Sequence, residues 1–138
     1  MRLQLALNVS DLEAAIEFYR KLFATEVHKR KPGYANFEVE SPPLKLVLFE
    51  NKTADESLNH LGVEVPEEAD LDAAVTRVQE AGLAHRVEED TTCCYARAGK
   101  VWTQSPDGLA WEWYRIREHS ESFGGFDPNE LQTVERCC

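Results

Sequence analysis

Apolar and polar residues alternate strictly at the start of the chain. In "LQLALNV" (3–9), Leu3, Leu5, Leu7 and Val9 fall on one face and Gln4, Ala6 and Asn8 on the other. That period of two predicts a half-buried strand. The period then lengthens: Leu12, Ile16, Tyr19 and Phe23 recur at helical spacing, and Ser10 with Glu13 fits a capping box at the helix start. Two more strand-like runs follow, "ANFEVE" and "LKLVLFE", set off by the turn signals "KPG" and "SPP". The order then begins again. "NHLGVEV" (59–65) alternates like the first strand. Asp70 predicts a helix N-cap, Leu71, Val75 and Val78 form the apolar stripe, and Gly82 a C-terminal stop. "HRVEED", "CCYARA", "KVWTQ" and "LAWEWYRI" read as strands, with "AG" and "SPDG" as turns.

The two halves are copies of one unit. Gln4 aligns with His60, Leu5 with Leu61, Ala6 with Gly62, Leu7 with Val63 and Val9 with Val65; "DLEAAI" (11–16) matches "DLDAAV" (70–75), after a short insertion within "PEEA". The pattern predicts an α+β fold of two paired βαβββ modules whose strands form a curved mixed sheet around a cleft. Module one spans about 1–52 and module two about 57–119, together one domain over 1–119. The aromatic pairs Trp111–Trp113 and Phe18–Tyr19 read as core. Beyond residue 119 periodicity is lost, and 120–138 reads as a flexible tail ending in Cys137 and Cys138.

Charge narrows the partners. A net charge of −10 argues against nucleic acid and anionic membrane surfaces. No apolar run approaches the roughly 20 residues of a membrane span, and the N-terminal run reads as a strand of the mature protein, so a cytoplasmic location is expected. The oligomeric state is left open.

All four cysteines stand in adjacent pairs, Cys93–Cys94 and Cys137–Cys138. Neighbouring Cα atoms lie about 3.8 Å apart, whereas ordinary disulfides span about 4.4–6.8 Å. Such a pair makes a strained, reducible bond and no staple; clustered thiols in this setting suggest metal binding or redox chemistry.

Three polar residues sit on the face opposite the large apolar side chains: Gln4 in the first strand, His60 at the repeat-related place in the second module, and Glu112 between Trp111 and Trp113. If the modules pair, these faces converge. One imidazole, one carboxylate and one amide oxygen around open positions suit a divalent metal, non-haem Fe(II) in particular. The corresponding strand of module one, "LKLVLFE", offers no carboxylate before Glu50, so three protein ligands are expected. Each residue also has an ordinary reading: histidine as a structural hydrogen-bonder, glutamate as a solvated side chain. His28, His85 and His119 lack repeat partners and read as surface residues.

At these residues the sequence resembles the vicinal oxygen chelate superfamily of glyoxalase I, bleomycin-resistance proteins and extradiol dioxygenases. More narrowly, "LNHLGVEV", "KPGYANF", "PPLKLVLFEN" and "TTCCYA…KVW" resemble the cadmium-induced protein family, which contains organoarsenical carbon–arsenic lyases. The resemblance covers about residues 2–118. It implies Fe(II) held by Gln4, His60 and Glu112, arsenic-binding thiols at Cys93 and Cys94, and a dioxygenase that uses O2 to release arsenite from a trivalent organoarsenical. Two adjacent thiols can replace both hydroxyls of R–As(OH)2, and soft sulfur suits that acceptor. Lys100 is a possible substrate contact, although a solvated lysine is the plainer reading, and "ARAGK" (96–100) a possible lid hinged at Gly99. Cys137 and Cys138 are possible scavengers of substrate. The rival readings are a non-catalytic cadmium- or arsenic-binding thiol protein, needing only the cysteines, and another metal-dependent enzyme of the superfamily, needing only the triad.

Overall fold

The computed structural model describes residues 1–93 and 95–119, with Cys93 described by its backbone alone. The elements are β1 (Arg2–Val9), α1 (Leu12–Leu22), β2 (Lys29–Lys31), β3 (Tyr34–Val39), β4 (Leu44–Glu50), β5 (Leu58–Glu64), α2 (Glu68–Glu80), β6 (His85–Cys93), β7 (Ala96–Gln104) and β8 (Ala110–His119). This is βαβββ twice. The strands form one mixed, open sheet in the order β2-β3-β4-β1-β5-β8-β7-β6. β1 pairs parallel with β4, and β5 pairs parallel with β8. The modules join where β1 and β5 run antiparallel at the centre of the sheet. Among the described residues no helix is long and apolar enough to cross a membrane.

Alternation decides what each strand shows to each side. α1 covers the first half-sheet, burying Leu12 and Ile16 among Ala35, Phe37, Val39, Leu46 and Leu48. α2 does the same for the second, burying Leu71, Ala74 and Val78 among Val63, Val65 and Val101. Because these wall residues share one parity, their neighbours point to the opposite, concave side. Those neighbours are Gln4 and Ala6, Lys45, Val47 and Phe49, His60 and Gly62, Lys100 and Trp102, and Glu112 and Tyr114. All are buried, and the missing side chain of Gly62 is itself part of the site described below.

Several local expectations need correction. Asp11, not Ser10, caps α1: its carboxylate accepts from Ala14 N–H at 3.1 Å. α2 begins at Glu68, so Asp70 lies inside the first turn, where its charge still suits the helix dipole. Phe18 is 58% exposed, on the outer side of α1 beside Tyr19, and is not core. "CCYARA" is no single strand, because Tyr95 takes a left-handed φ of 62° between β6 and β7. "ARAGK" is no lid: all five residues belong to β7, paired with β6 on one side and β8 on the other. Gly99 does not hinge there; a β-carbon at that position would lie 2.7 Å from the Arg117 guanidinium and 3.0 Å from Leu71.

Candidate metal centre

Gln4, His60 and Glu112 meet on the concave side, each fully buried. Gln4 Nε2 donates to Glu112 Oε1 at 2.7 Å and lies 3.1 Å from His60 Nε2; His60 Nε2 lies 3.2 Å from Glu112 Oε1. Three strands supply one residue each, and the central β1–β5 pairing brings them together. Gly62 permits the approach. A methyl group there would stand 2.9 Å from Glu112 Cγ and 3.3 Å from Gln4 Nε2.

The surroundings orient each donor. Tyr114 Oη donates to Gln4 Oε1 at 2.6 Å. Asn59 Oδ1 lies 2.7 Å from His60 Nδ1, and the Trp102 ring packs edge-on against the imidazole at 5.2 Å. Lys100, predicted as a solvated lysine, is 1% exposed, with Nζ 3.4 Å from Glu112 Oε2. Burial is the largest influence on the Glu112 carboxyl and pushes its pKa up. The Lys100 charge and the neighbouring His60 and Gln4 side chains outweigh it and hold the group down at about 2. The carboxylate is therefore ionised in a dry site.

The donor set fits a divalent cation. Glu112 Oε2 is buried with no hydrogen bond and only the Lys100 ammonium 3.4 Å away, although a buried carboxylate oxygen normally has a hydrogen bond. The Gln4 NH2 group lies within hydrogen-bond reach of both Glu112 Oε1 and His60 Nε2, a neutral substitute for positive charge between them. A half-turn of that amide would offer Oε1 as the third ligand, and the Tyr114 hydroxyl, able to accept as well as donate, could then receive Nε2. Among the described residues no cluster of three His, Cys, Asp or Glu side chains exists, so a site here depends on the amide.

The module-one place equivalent to Glu112 is apolar. Gly62 pairs with Glu112 as Ala6 pairs with Val47, and Ala6 and Gly62 correspond in the repeat. Val47 is fully buried. Module one thus offers no donor at this place.

Ala96, Ala98, Lys100, Tyr114, Tyr34, Asn36 and Lys45 line a narrow cleft on the same side, with His28 and His119 also on its wall. Lys45 is only 5% exposed and has no carboxylate within ion-pairing distance among the described residues; its Nζ lies 5.3 Å from the Tyr114 ring centre. Burial, first among the influences, lowers its pKa to about 8. Sequence reading missed Lys45, Asn59 and Tyr114. Parity could have found two of them: Tyr114 lies two residues beyond Glu112, and Lys45 two before Val47. Cys93 ends β6 opposite Ala96. The Cys93 side chain, Cys94, Cys137 and Cys138 lie outside what the structure describes.

A profile of the glyoxalase/bleomycin resistance protein/dioxygenase superfamily matches residues 3–113. The chain belongs to this superfamily. Two relatives are closely similar. Cadmium-induced protein CadI of Mycobacterium tuberculosis (strain ATCC 25618 / H37Rv) is 55% identical over 123 residues, 89% of this chain and 81% of that protein. A trivalent organoarsenical cleaving enzyme of Thermomonospora curvata is 50% identical over 133 residues, 96% of this chain and 88% of that one. Among solved structures, the Mn(II)-bound glyoxalase from Novosphingobium aromaticivorans superposes with a TM-score of 0.62 at 20% identity, covering 86% of this chain and 40% of that one. That superfamily member carries a metal, and its likeness to this chain is one of fold.

Proposed function

We propose that this chain is an Fe(II)-dependent dioxygenase that cleaves the carbon–arsenic bond of trivalent organoarsenicals, such as methylarsenite or aromatic arsenicals, and releases arsenite. The observation that carries the reading is the cleft. Its wall runs from Ala96, directly opposite Cys93 in the β6–β7 pairing, to Tyr114, whose hydroxyl bonds Gln4. A donor set suited to a metal and the end of the strand that carries Cys93 thereby border the same cleft. The name of the Thermomonospora relative supports the same substrate class.

In this reading Gln4, His60 and Glu112 hold Fe(II), and Cys93 and Cys94 hold the substrate. The two thiols exchange for both hydroxyls of R–As(OH)2, giving R–As(S)2 and two waters. Chelation fixes arsenic and turns its organic group toward the triad, so binding energy is used for positioning. Bound iron supplies the capacity to bind and activate O2. Lys100 keeps the second Glu112 oxygen charged and oriented, and Trp102 shields His60 from water. The reaction belongs in the cytoplasm, where adjacent thiols stay reduced.

The similarity to CadI favours one competing reading, a thiol protein that sequesters cadmium or arsenic. One experiment separates the two. Protein loaded anaerobically with Fe(II) is mixed with methylarsenite, exposed to air with a reductant present, and assayed for released arsenite. The lyase reading expects multiple turnovers, lost in Cys93→Ser and in His60→Ala. Methylarsenite held intact at one or two equivalents, equally well in His60→Ala, would establish sequestration instead.

A further inference from the structure

The pairing of β1 with β5 slips once. Ala6 faces His60, but the next residue, Leu7, faces Leu58, so Asn59 is an extra residue in β5. A bulge of this kind turns a side chain to the face it would not otherwise reach. By alternation Asn59 belongs with Leu61 and Val63 on the helix side. It lies instead beside His60, 2% exposed, with Oδ1 2.7 Å from His60 Nδ1.

A chain of hydrogen bonds gives this contact a direction. The Glu56 carbonyl can only accept, and it takes a bond from Asn8 Nδ2 at 3.1 Å. Asn8 must therefore turn Oδ1 toward Asn59, whose Nδ2 donates to it at 3.0 Å. That fixes Asn59 Oδ1 as the atom facing the imidazole, and an amide oxygen cannot donate. His60 Nδ1 must carry a proton, so in the neutral ring Nε2 is the bare nitrogen, 3.1 Å from the Gln4 NH2 group that can donate to it. A backbone carbonyl cannot flip, so the tautomer is set from outside the centre. Module one has no such device: the residue equivalent to Asn59 is Leu3, which is 55% exposed.

We propose that Asn59, placed by the bulge and anchored through Asn8 to the Glu56 carbonyl, is a positioning residue that holds His60 in the Nδ1–H tautomer and so presents Nε2 to the metal. The metal half of this inference rests on the proposed function; the tautomer half does not.

The test uses full-length protein in two measurements. Long-range 15N–1H correlation spectra of the metal-free protein read the His60 tautomer. Mn(II) titration followed by electron paramagnetic resonance reads affinity. Wild type should show the Nδ1–H form. Asn59→Leu should lose it, through an Nε2–H or mixed population, and should bind Mn(II) about 10- to 100-fold more weakly, the usual effect of removing a ligand's hydrogen-bond partner. Asn59→Asp, which keeps an acceptor at Nδ1, should restore the tautomer and most of the affinity. Should Asn59→Leu fail to fold, Asn8→Ala removes the anchor and should give a mixed tautomer with a smaller loss. An unchanged Nδ1–H signal and unchanged Mn(II) affinity in a folded Asn59→Leu or Asn8→Ala protein would overturn the proposal. Unchanged Mn(II) binding in His60→Ala would sink the metal centre itself, whatever the tautomer spectra show.

Discussion

Gln4 and His60 hold the same place in two copies of one unit, yet the copies are equipped differently around them. Beside His60 stands Asn59 in a bulge; beside Gln4 stands the exposed Leu3. Across the parallel pairing, module two offers Glu112 where module one offers Val47. One step along the same strands, Lys45 faces Gln4, while Ala110 falls opposite His60 when the Leu61–Trp111 register is extended by one residue. Module two thus contributes both strong donors and the group that orients one of them. Module one contributes a neutral amide, an apolar stop and a buried cation. A symmetric dimer of such units would offer equivalent residues from both sides. The duplicated chain can hold a metal on one side and leave the other for substrate.

The largest effect expected from this asymmetry is on the metal itself. His60→Ala and Glu112→Ala should each abolish Fe(II) retention and turnover while the fold persists. Gln4→Ala should retain measurable iron, because a neutral amide is the weakest of the three ligands. Metal content after desalting, read beside circular dichroism, decides it. Equal loss in all three would show that the modules share the metal evenly.

Restoring the symmetry should close the site. Val47→Glu places a second buried carboxylate opposite Glu112, which costs the metal-free protein several kcal/mol. Mn(II) should then raise the melting temperature by more than it does in wild type, and arsenite release should fall at least tenfold, because the added carboxylate takes the open position. Wild-type turnover in a folded Val47→Glu enzyme would mean that the open position lies elsewhere.

The swap at Ala6 and Gly62 should give a smaller effect. Gly62→Ala puts a methyl group 2.9 Å from Glu112 Cγ. Such overpacking costs about 1–3 kcal/mol, and displacement of Glu112 should weaken Mn(II) binding about tenfold. Ala6→Gly adds no atoms near the triad. It should cost about 0.5–1 kcal/mol through backbone freedom and leave Mn(II) affinity unchanged. Calorimetric titration of both variants checks the pair.

These contrasts also mark how far the sequence could be read. The repeat and the parity of Gln4, His60 and Glu112 were visible because alternation and internal similarity are properties of the chain itself. β2 was not, since three charged-rich residues, "KRK", carry no apolar period. The bulge at Asn59 was hidden because register belongs to a pair of strands and is written in neither alone. Lys100 and Lys45 were misjudged or missed because lysine is so seldom buried; only the assembled concave face shows why they are. Gly99 suggested a hinge, but it lies inside β7, where the Arg117 and Leu71 side chains occupy the space a side chain there would take.

Lys45 gives the smallest effect on the metal and the sharpest sign. Its ammonium is buried over the Tyr114 ring without a carboxylate partner among the described residues, and desolvation is the first cause of its depressed pKa, about 8 against an ordinary 10.5. Between those two values the unfolded chain binds a proton that the folded one has released, so this group makes stability rise with pH across that window. Below about pH 8 both states are charged and the folded state bears the whole penalty, roughly 3 kcal/mol at 1.36 kcal/mol per pKa unit. Lys45→Met keeps the volume and removes the charge. It should raise metal-free stability at pH 7 by up to about that amount, and the gain should fade between about pH 8 and 10.5, above which the wild-type lysine is neutral in both states. Urea unfolding at pH 7 and pH 10 reads this directly. A cation held at that cost in the cleft beside Gln4 is positioned to meet an anionic group of a bound ligand. Lys45→Met should therefore gain stability and lose rate toward aryl arsenicals bearing a ring carboxylate, with little change toward methylarsenite. A variant that is no more stable at pH 7 than wild type would show that Lys45 is not a strained cation and that its place opposite Gln4 is incidental.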